Sequence, residues 1–109
     1  MSYTIQFSEG AARQMRALRG TDRAAVFDQS RRILSVNPAL ASQAKIKRLR
    51  GDVFPPYRLR VGELRIFYEV VEATKSVIIH GVVTKAQAET WLATLDEGFK
   101  HEDDPADQG

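Results

Sequence analysis

The chain has 109 residues, with 16 Lys and Arg, 14 Asp and Glu, two His and no Cys. That length is the usual size of one compact domain with one core, and the 43% hydrophobic and 28% charged fractions exclude a long disordered chain. Without Cys there is no disulfide scaffold, no thiol nucleophile and no Cys-ligated zinc.

No apolar run approaches the ~20 residues of a membrane span. Met1-Ser-Tyr-Thr-Ile-Gln-Phe7 lacks the basic and apolar stretches of a signal peptide. No membrane partner is expected, and the expected compartment is cytoplasmic. The net charge of +2 hides an asymmetry. Residues 1–95 carry 15 basic and 8 acidic side chains, a net +7, and residues 96–109 carry a net −5. A basic body favours a polyanionic partner, because neutralising phosphates releases counterions. The acidic end reads either as a solvated tail or as a segment folded back over a basic groove.

Residues 2–7 alternate, with Tyr3, Ile5 and Phe7 on one side, as in a half-buried strand. Ser8 is placed to cap a helix through Arg19, with Ala11, Met15 and Leu18 on one face and Gly20 as its stop. Thr21 or Asp22 then caps a second helix, which carries Val26, Phe27, Ile33 and Leu34 and ends at Asn37-Pro38. So short a connection makes the two helices an antiparallel hairpin. Its outer faces carry Arg13, Arg16, Arg19, Arg23, Arg31 and Arg32.

Residues 39–56 read as irregular, because Gly51 and Pro55-Pro56 interrupt any element. Tyr57–Val61 alternates as a strand, Gly62-Glu63 signals a hairpin, and Leu64–Val71 returns as a second strand. After a turn at 72–75, residues 76–83 form a nearly all-apolar strand, expected to be covered on both faces. Thr84-Lys-Ala-Gln87 is a capping box. The helix it opens puts Ala88, Trp91, Leu92, Leu95 and Phe99 on one stripe and runs out near Gly98. Residues 100–109 lack apolar periodicity and read as a disordered acidic tail. The expected fold is α+β, in the order β-α-α-β-β-β-α. A helical hairpin covers one face of a small, mainly antiparallel sheet, in a single domain over 1–99. The N-terminal strand must join that sheet to satisfy its backbone.

No phosphate-binding glycine loop, HExxH or GxSxG motif occurs. Neither His80 nor His101 has carboxylates at metal-ligand spacing, so no metal and no cofactor is expected. The basic stretch stands out. Lys45, Lys47, Arg48, Arg50, Arg58, Arg60 and Arg65 face only Asp52 and Glu63, a local net of +5. Strand periodicity puts Arg58 and Arg60 on one sheet face, opposite Tyr57, Leu59 and Val61, and brings Arg65 near them across the hairpin. Planar guanidinium forks suit phosphate, although a solvated outer strand face would show the same pattern. His80 is the one side chain of the body whose ordinary pKa lies near neutrality. It reads as a packed strand histidine or as an acid/base.

Lys47-Arg-Leu-Arg-Gly51, Tyr57-Arg-Leu-Arg60, Leu64-Arg-Ile-Phe-Tyr68-Glu-Val and a last strand leading into a capped helix resemble the RelE/ParE family of bacterial toxins. The resemblance covers residues 2–95 and implies the same order of elements. Two activities occur in that family. RelE-like members cut messenger RNA in the ribosomal A site without a metal, and ParE-like members inhibit DNA gyrase. Both are neutralised by a cognate antitoxin. The resemblance places the family's two strand lysines on Arg58 and Arg60 and its strand arginine on Arg65. It places a basic residue of the last helix on Lys85, and the tyrosine proposed as general acid/base on Trp91.

Three of these positions depart from the family pattern. Arginine is effectively never deprotonated, so Arg58 and Arg60 cannot accept a proton. Trp91 has no proton to exchange, and its place on the apolar stripe points to packing. The expected function is thus the toxin of a type II toxin–antitoxin system, a ribosome-dependent, metal-independent mRNA endoribonuclease that inhibits translation. Arg58, Arg60 and Arg65 would hold the scissile phosphate, and Lys45, Lys47, Arg48, Arg50 and Lys85 would grip RNA. His80 is the candidate acid/base. The competing readings are a gyrase inhibitor without a nuclease site, and a degenerate toxin kept as an antitoxin-binding co-repressor. The +7 body implies an antitoxin segment that is acidic and amphipathic.

Overall fold

A computed structural model describes residues 2–39, 45–51 and 53–103, with side chains to Leu95. The elements in chain order are β1 (Thr4–Phe7), α1 (Glu9–Ala17), α2 (Gly20–Gln29), β2 (Ile46–Arg48), β3 (Tyr57–Val61), β4 (Leu64–Val71), β5 (Ser76–Thr84) and α3 (Lys85–Asp103). A π-helical turn, Ser30–Leu34, continues α2, and a 3-10 turn, Glu72–Thr74, joins β4 to β5. The architecture is α+β, as the sequence implies.

The strands form one sheet in the order β1-β5-β4-β3-β2. β1 runs parallel to β5, and the other neighbours are antiparallel. Gly62 takes the positive φ of 60° that the β3–β4 turn requires. The register sets Tyr57 against Tyr68, Leu59 against Ile66 and Val61 against Leu64 on one face. These residues, with Val77, Ile79 and Val82 of β5, meet Ala11, Met15, Val26 and Leu34 in the core under the helical hairpin.

The hairpin connection differs from the sequence expectation. Gly20 does not stop α1; it begins α2, with Arg19 at the N-cap position and no side-chain cap bond. The reason lies in Arg23. Its Nε donates to Met15 O (3.1 Å) and its Nη2 to Leu18 O (2.7 Å). A guanidinium from the first turn of α2 thus satisfies carbonyls at the end of α1 that a glycine cap would otherwise serve. Arg23 is therefore half-buried rather than on an outer face.

Two further differences concern lengths. β2 lies within the stretch read as irregular. It is three residues long, too short for alternation to register, yet Ile46 is buried opposite Leu59. α3 opens with the expected capping box, in which Thr84 N–H donates to Gln87 Oε1 and Gln87 N–H to Thr84 Oγ1. It continues to Asp103, past Gly98, so the first residues of the expected tail are helical. Residues 104–109 of that tail lie outside the described residues.

Candidate nucleic-acid interface

The second face of the sheet carries the basic residues. Arg58 pairs with Phe67, and Arg60 with Arg65, across β3 and β4. Lys47 of β2 faces Arg58 from the other side. Because side chains alternate, none of these shares the face of the Tyr57–Tyr68 core. One end of this face is roofed by α3. The Trp91 indole stacks on Phe67, with ring centroids 5.2 Å apart and planes at 23°, and it lies over Gly81.

Beside that roof is a cleft of about 350 Å³, lined by Arg58, Arg65 and Lys85 with Leu49, Phe67 and Leu92 among others. Arg65 is only 9% exposed. Its Nη1 donates to Gly62 O and Leu64 O, at 3.0 Å each, so part of the guanidinium braces the β3–β4 turn. Arg58 is less committed. Its Nε is buried and has no hydrogen-bond partner. Burial, and then the charges of Arg65 and Arg60, hold its pKa below the ordinary arginine value. Among the described residues, no ion pair engages Arg58, Arg60, Arg65 or Lys85. Glu89 lines the same cleft, yet among the described residues the three guanidiniums share a sheet face with no carboxylate in ion-pair contact, an electrostatically costly arrangement that a bound anion relieves.

The other basic residues divide. Lys47 adds to the arginine face, whereas Arg48 lies over the Tyr57 ring (5.1 Å) on the opposite face. Lys45 and Arg50 are exposed at the two ends of β2. Among the described residues, no group of three or more His, Cys, Asp or Glu side chains comes together.

His80 is the extra residue of a β-bulge. Phe67 pairs with Gly81 and Tyr68 with Ile79, leaving His80 unpaired in β5. The bulge aims His80 toward Glu69, with Nε2 2.8 Å from Oε2, and sets its ring edge-on to Phe54 with centroids 5.0 Å apart. His80 does not line the arginine cleft. Tyr68 cannot serve that cleft either. It lies on the core face, donates to Pro38 O (2.6 Å), and burial, with the neighbouring Tyr57, raises its pKa far above the ordinary phenol value. Sequence reasoning missed Phe67, Leu49 and Leu92 as cleft walls, because their apolar character marks them only as core.

No protein-family model and no curated protein matches the sequence. Solved structures do match. The chain is 26% identical to a chain of the RelBE2 toxin–antitoxin complex of Mycobacterium tuberculosis, covering 77% of this chain and 99% of that one, with a TM-score of 0.67. A variant of the Escherichia coli toxin RelE in the free state is also 26% identical, over 84% of this chain and 92% of that one, with a TM-score of 0.62. The chain resembles RelE toxins and shares their fold. The archaeal RelE–RelB complex of Pyrococcus horikoshii shares the fold at 23% identity, over 77% of this chain and 96% of that one, with a TM-score of 0.61. Within this RelE-like chain, no helix among the described residues is long and apolar enough to cross a membrane.

Proposed function

We propose that this chain is the toxin of a type II toxin–antitoxin pair and cuts messenger RNA on the ribosome, in the cytoplasm, without a metal. The observation that carries the reading is the unpaired Arg58–Arg60–Arg65 face with Lys85 at its edge. The likeness to RelE toxins supports the toxin role, and solved neighbours that are RelE–RelB complexes support a cognate antitoxin.

In the proposed reaction the 2′-oxygen of a nucleotide attacks the adjacent phosphorus. The 2′-O–P bond forms and the P–O5′ bond breaks. The 2′-hydroxyl proton leaves, and a proton is delivered to the departing 5′-oxygen, giving a 2′,3′-cyclic phosphate. Arg58, Arg60 and Arg65 stabilise the extra negative charge on phosphorus as fixed cations. Lys85 and Lys47 hold the flanking backbone, and Lys45 and Arg50 extend the basic track. The arginines cannot take the proton. Tyr57 and Tyr68 lie on the other face. Proton transfer therefore falls to Glu89, which lines the cleft, to His80, oriented by Glu69 on the same face, or to a group of the ribosome.

Neither a tyrosine nor a histidine is among the residues lining the cleft, and Trp91 is packed where the family pattern has a tyrosine. That observation favours a second reading, a gyrase inhibitor that acts by binding alone. Purified protein added to translating ribosomes, with mapping of the message ends, tests the first reading. The expected result is cleavage of the ribosome-bound message that leaves 2′,3′-cyclic ends. Intact message beside inhibited gyrase supercoiling would establish the second reading instead.

A further inference from the structure

α3 turns one stripe of side chains to the arginine cleft. Lys85, Ala88, Glu89 and Leu92 all line it, at the i, i+3, i+4 and i+7 spacing of a single helix face. The capping box and the stack of Trp91 on Phe67 hold the helix in that rotation. Ala88 puts only a methyl group into the cleft.

Glu89 is exposed, and among the described residues its carboxylate joins no ion pair and no hydrogen bond. Lys85 stands one turn before it, in the order along a helix that pairs less well than Glu before Lys. A carboxylate that served only to neutralise the cleft would sit in contact with Arg58, Arg65 or Lys85. The described lining thus holds three cationic side chains and one carboxylate that none of them engages. Cations suit the oxygens of a phosphate, and an ionised carboxylate only accepts.

We propose that Glu89 is the general base of the cleavage: with the scissile phosphate on Arg58 and Arg65, its carboxylate takes the proton of the 2′-hydroxyl. The proposal rests on the nuclease reading and assigns one step within it. The 2′-O–H bond breaks toward a carboxylate oxygen of Glu89 as the 2′-O–P bond forms. The P–O5′ bond breaks with its electron pair on the 5′-oxygen, which takes a proton from solvent water. Glu89 returns its proton to water once the cyclic product leaves. His80 has no part in this step, because its Nε2 meets Glu69 at 2.8 Å and it does not line the cleft. The helix that packs Trp91 in the family's tyrosine position thus supplies an acceptor two residues earlier, on the stripe that faces the cleft.

A base and a bystander predict opposite results. A bystander carboxylate repels bound phosphate, so its removal would tighten message binding and leave cleavage at least as fast. The test uses the full chain on ribosomes carrying a message. Single-turnover cleavage by Glu89→Gln should fall at least about a hundredfold, the lower end of what acid–base catalysis contributes. Its Kd for ribosomes carrying an uncleavable message, 2′-deoxy at the cut position, should be unchanged or lower. Glu89→Asp keeps the carboxylate on a shorter stem and should recover part of the rate. Where sulfur replaces the 5′-oxygen, a leaving group that needs no proton, the Glu89→Gln deficit should persist. Thermal unfolding verifies that this exposed substitution keeps the fold. The parental rate in Glu89→Gln overturns the proposal and leaves the nuclease reading standing. So does a deficit that disappears on the sulfur message, which would make Glu89 the acid. An equal loss of binding to the uncleavable message also overturns it, by making Glu89 a binding contact. A parent protein that leaves the message intact overturns the nuclease reading itself, and this proposal with it.

Discussion

The indole of Trp91 lies so close over Gly81 that a β-carbon at position 81 would overlap its six-membered ring. Gly81 is thus the seat on which α3 docks, and the bulge at His80 is what turns that seat toward the helix. Gly81→Ala should push the indole off Phe67 and cost about 1–3 kcal/mol, the usual range for overpacking. Urea unfolding followed by tryptophan emission checks this, with a red-shifted native spectrum and a lower midpoint expected.

Trp91 itself is half-buried. Truncating a fully buried tryptophan costs ~3–5 kcal/mol, so Trp91→Ala should cost about 2–3. Trp91→Phe keeps a ring on Phe67 and should stay within about 1 kcal/mol of the parent. A Trp91→Ala protein as stable as the parent but inactive would instead assign the indole to RNA stacking.

Arg60 offers the cleanest separation of activity from stability. It is exposed, and its charge lowers the pKa of Arg58. Arg60→Ala removes that repulsion, so the free protein should be as stable as the parent or slightly more so. Cleavage of ribosome-bound message should fall about a hundredfold, the typical loss for one transition-state contact of ~3 kcal/mol. Thermal unfolding and single-turnover cleavage on the same preparation decide it.

Arg65 should behave differently. It is nearly buried and braces the turn through Gly62 O and Leu64 O. The geometry predicts that Arg65→Ala loses activity together with about 1–3 kcal/mol of stability. Full cleavage by a folded Arg65→Ala protein would remove it from the site.

Tyr68 sets an alkaline limit on stability. Its phenol is buried and donates to Pro38 O, so its folded pKa lies above the ordinary value of 10.0 that holds in the unfolded chain. The folded state then binds the phenolic proton more tightly. The associated stability is complete below about pH 10 and is lost as pH rises from there toward the folded pKa. Tyr68→Phe should cost about 1–2 kcal/mol at neutral pH through the lost hydrogen bond. The gap between the two proteins should narrow above pH 10, as measured by urea midpoints at successive pH values.

Much of the arrangement was written locally. The alternation of Tyr57–Val61, the Gly62-Glu63 turn and the return through Tyr68 fix both the register and the shared face of Arg58, Arg60 and Arg65. A one-residue slip would bury the arginines and expose the core. The capping box at Thr84 and Gln87 likewise needs only neighbours in sequence. What sequence could not decide is every relationship set by groups far apart in the chain or by a break in period. Arg23 replaces a glycine cap because it reaches back to Met15 and Leu18. His80 meets Glu69 rather than the arginine cleft because a single extra residue in β5 breaks the strand alternation there. Arg48 lies over Tyr57, on the face opposite Arg58, because β2 pairs with β3. Residue type and spacing determined which charges the chain carries and which strand faces hold them. Long-range packing decided which of those charges are left without a partner, and the unpartnered charges make the site.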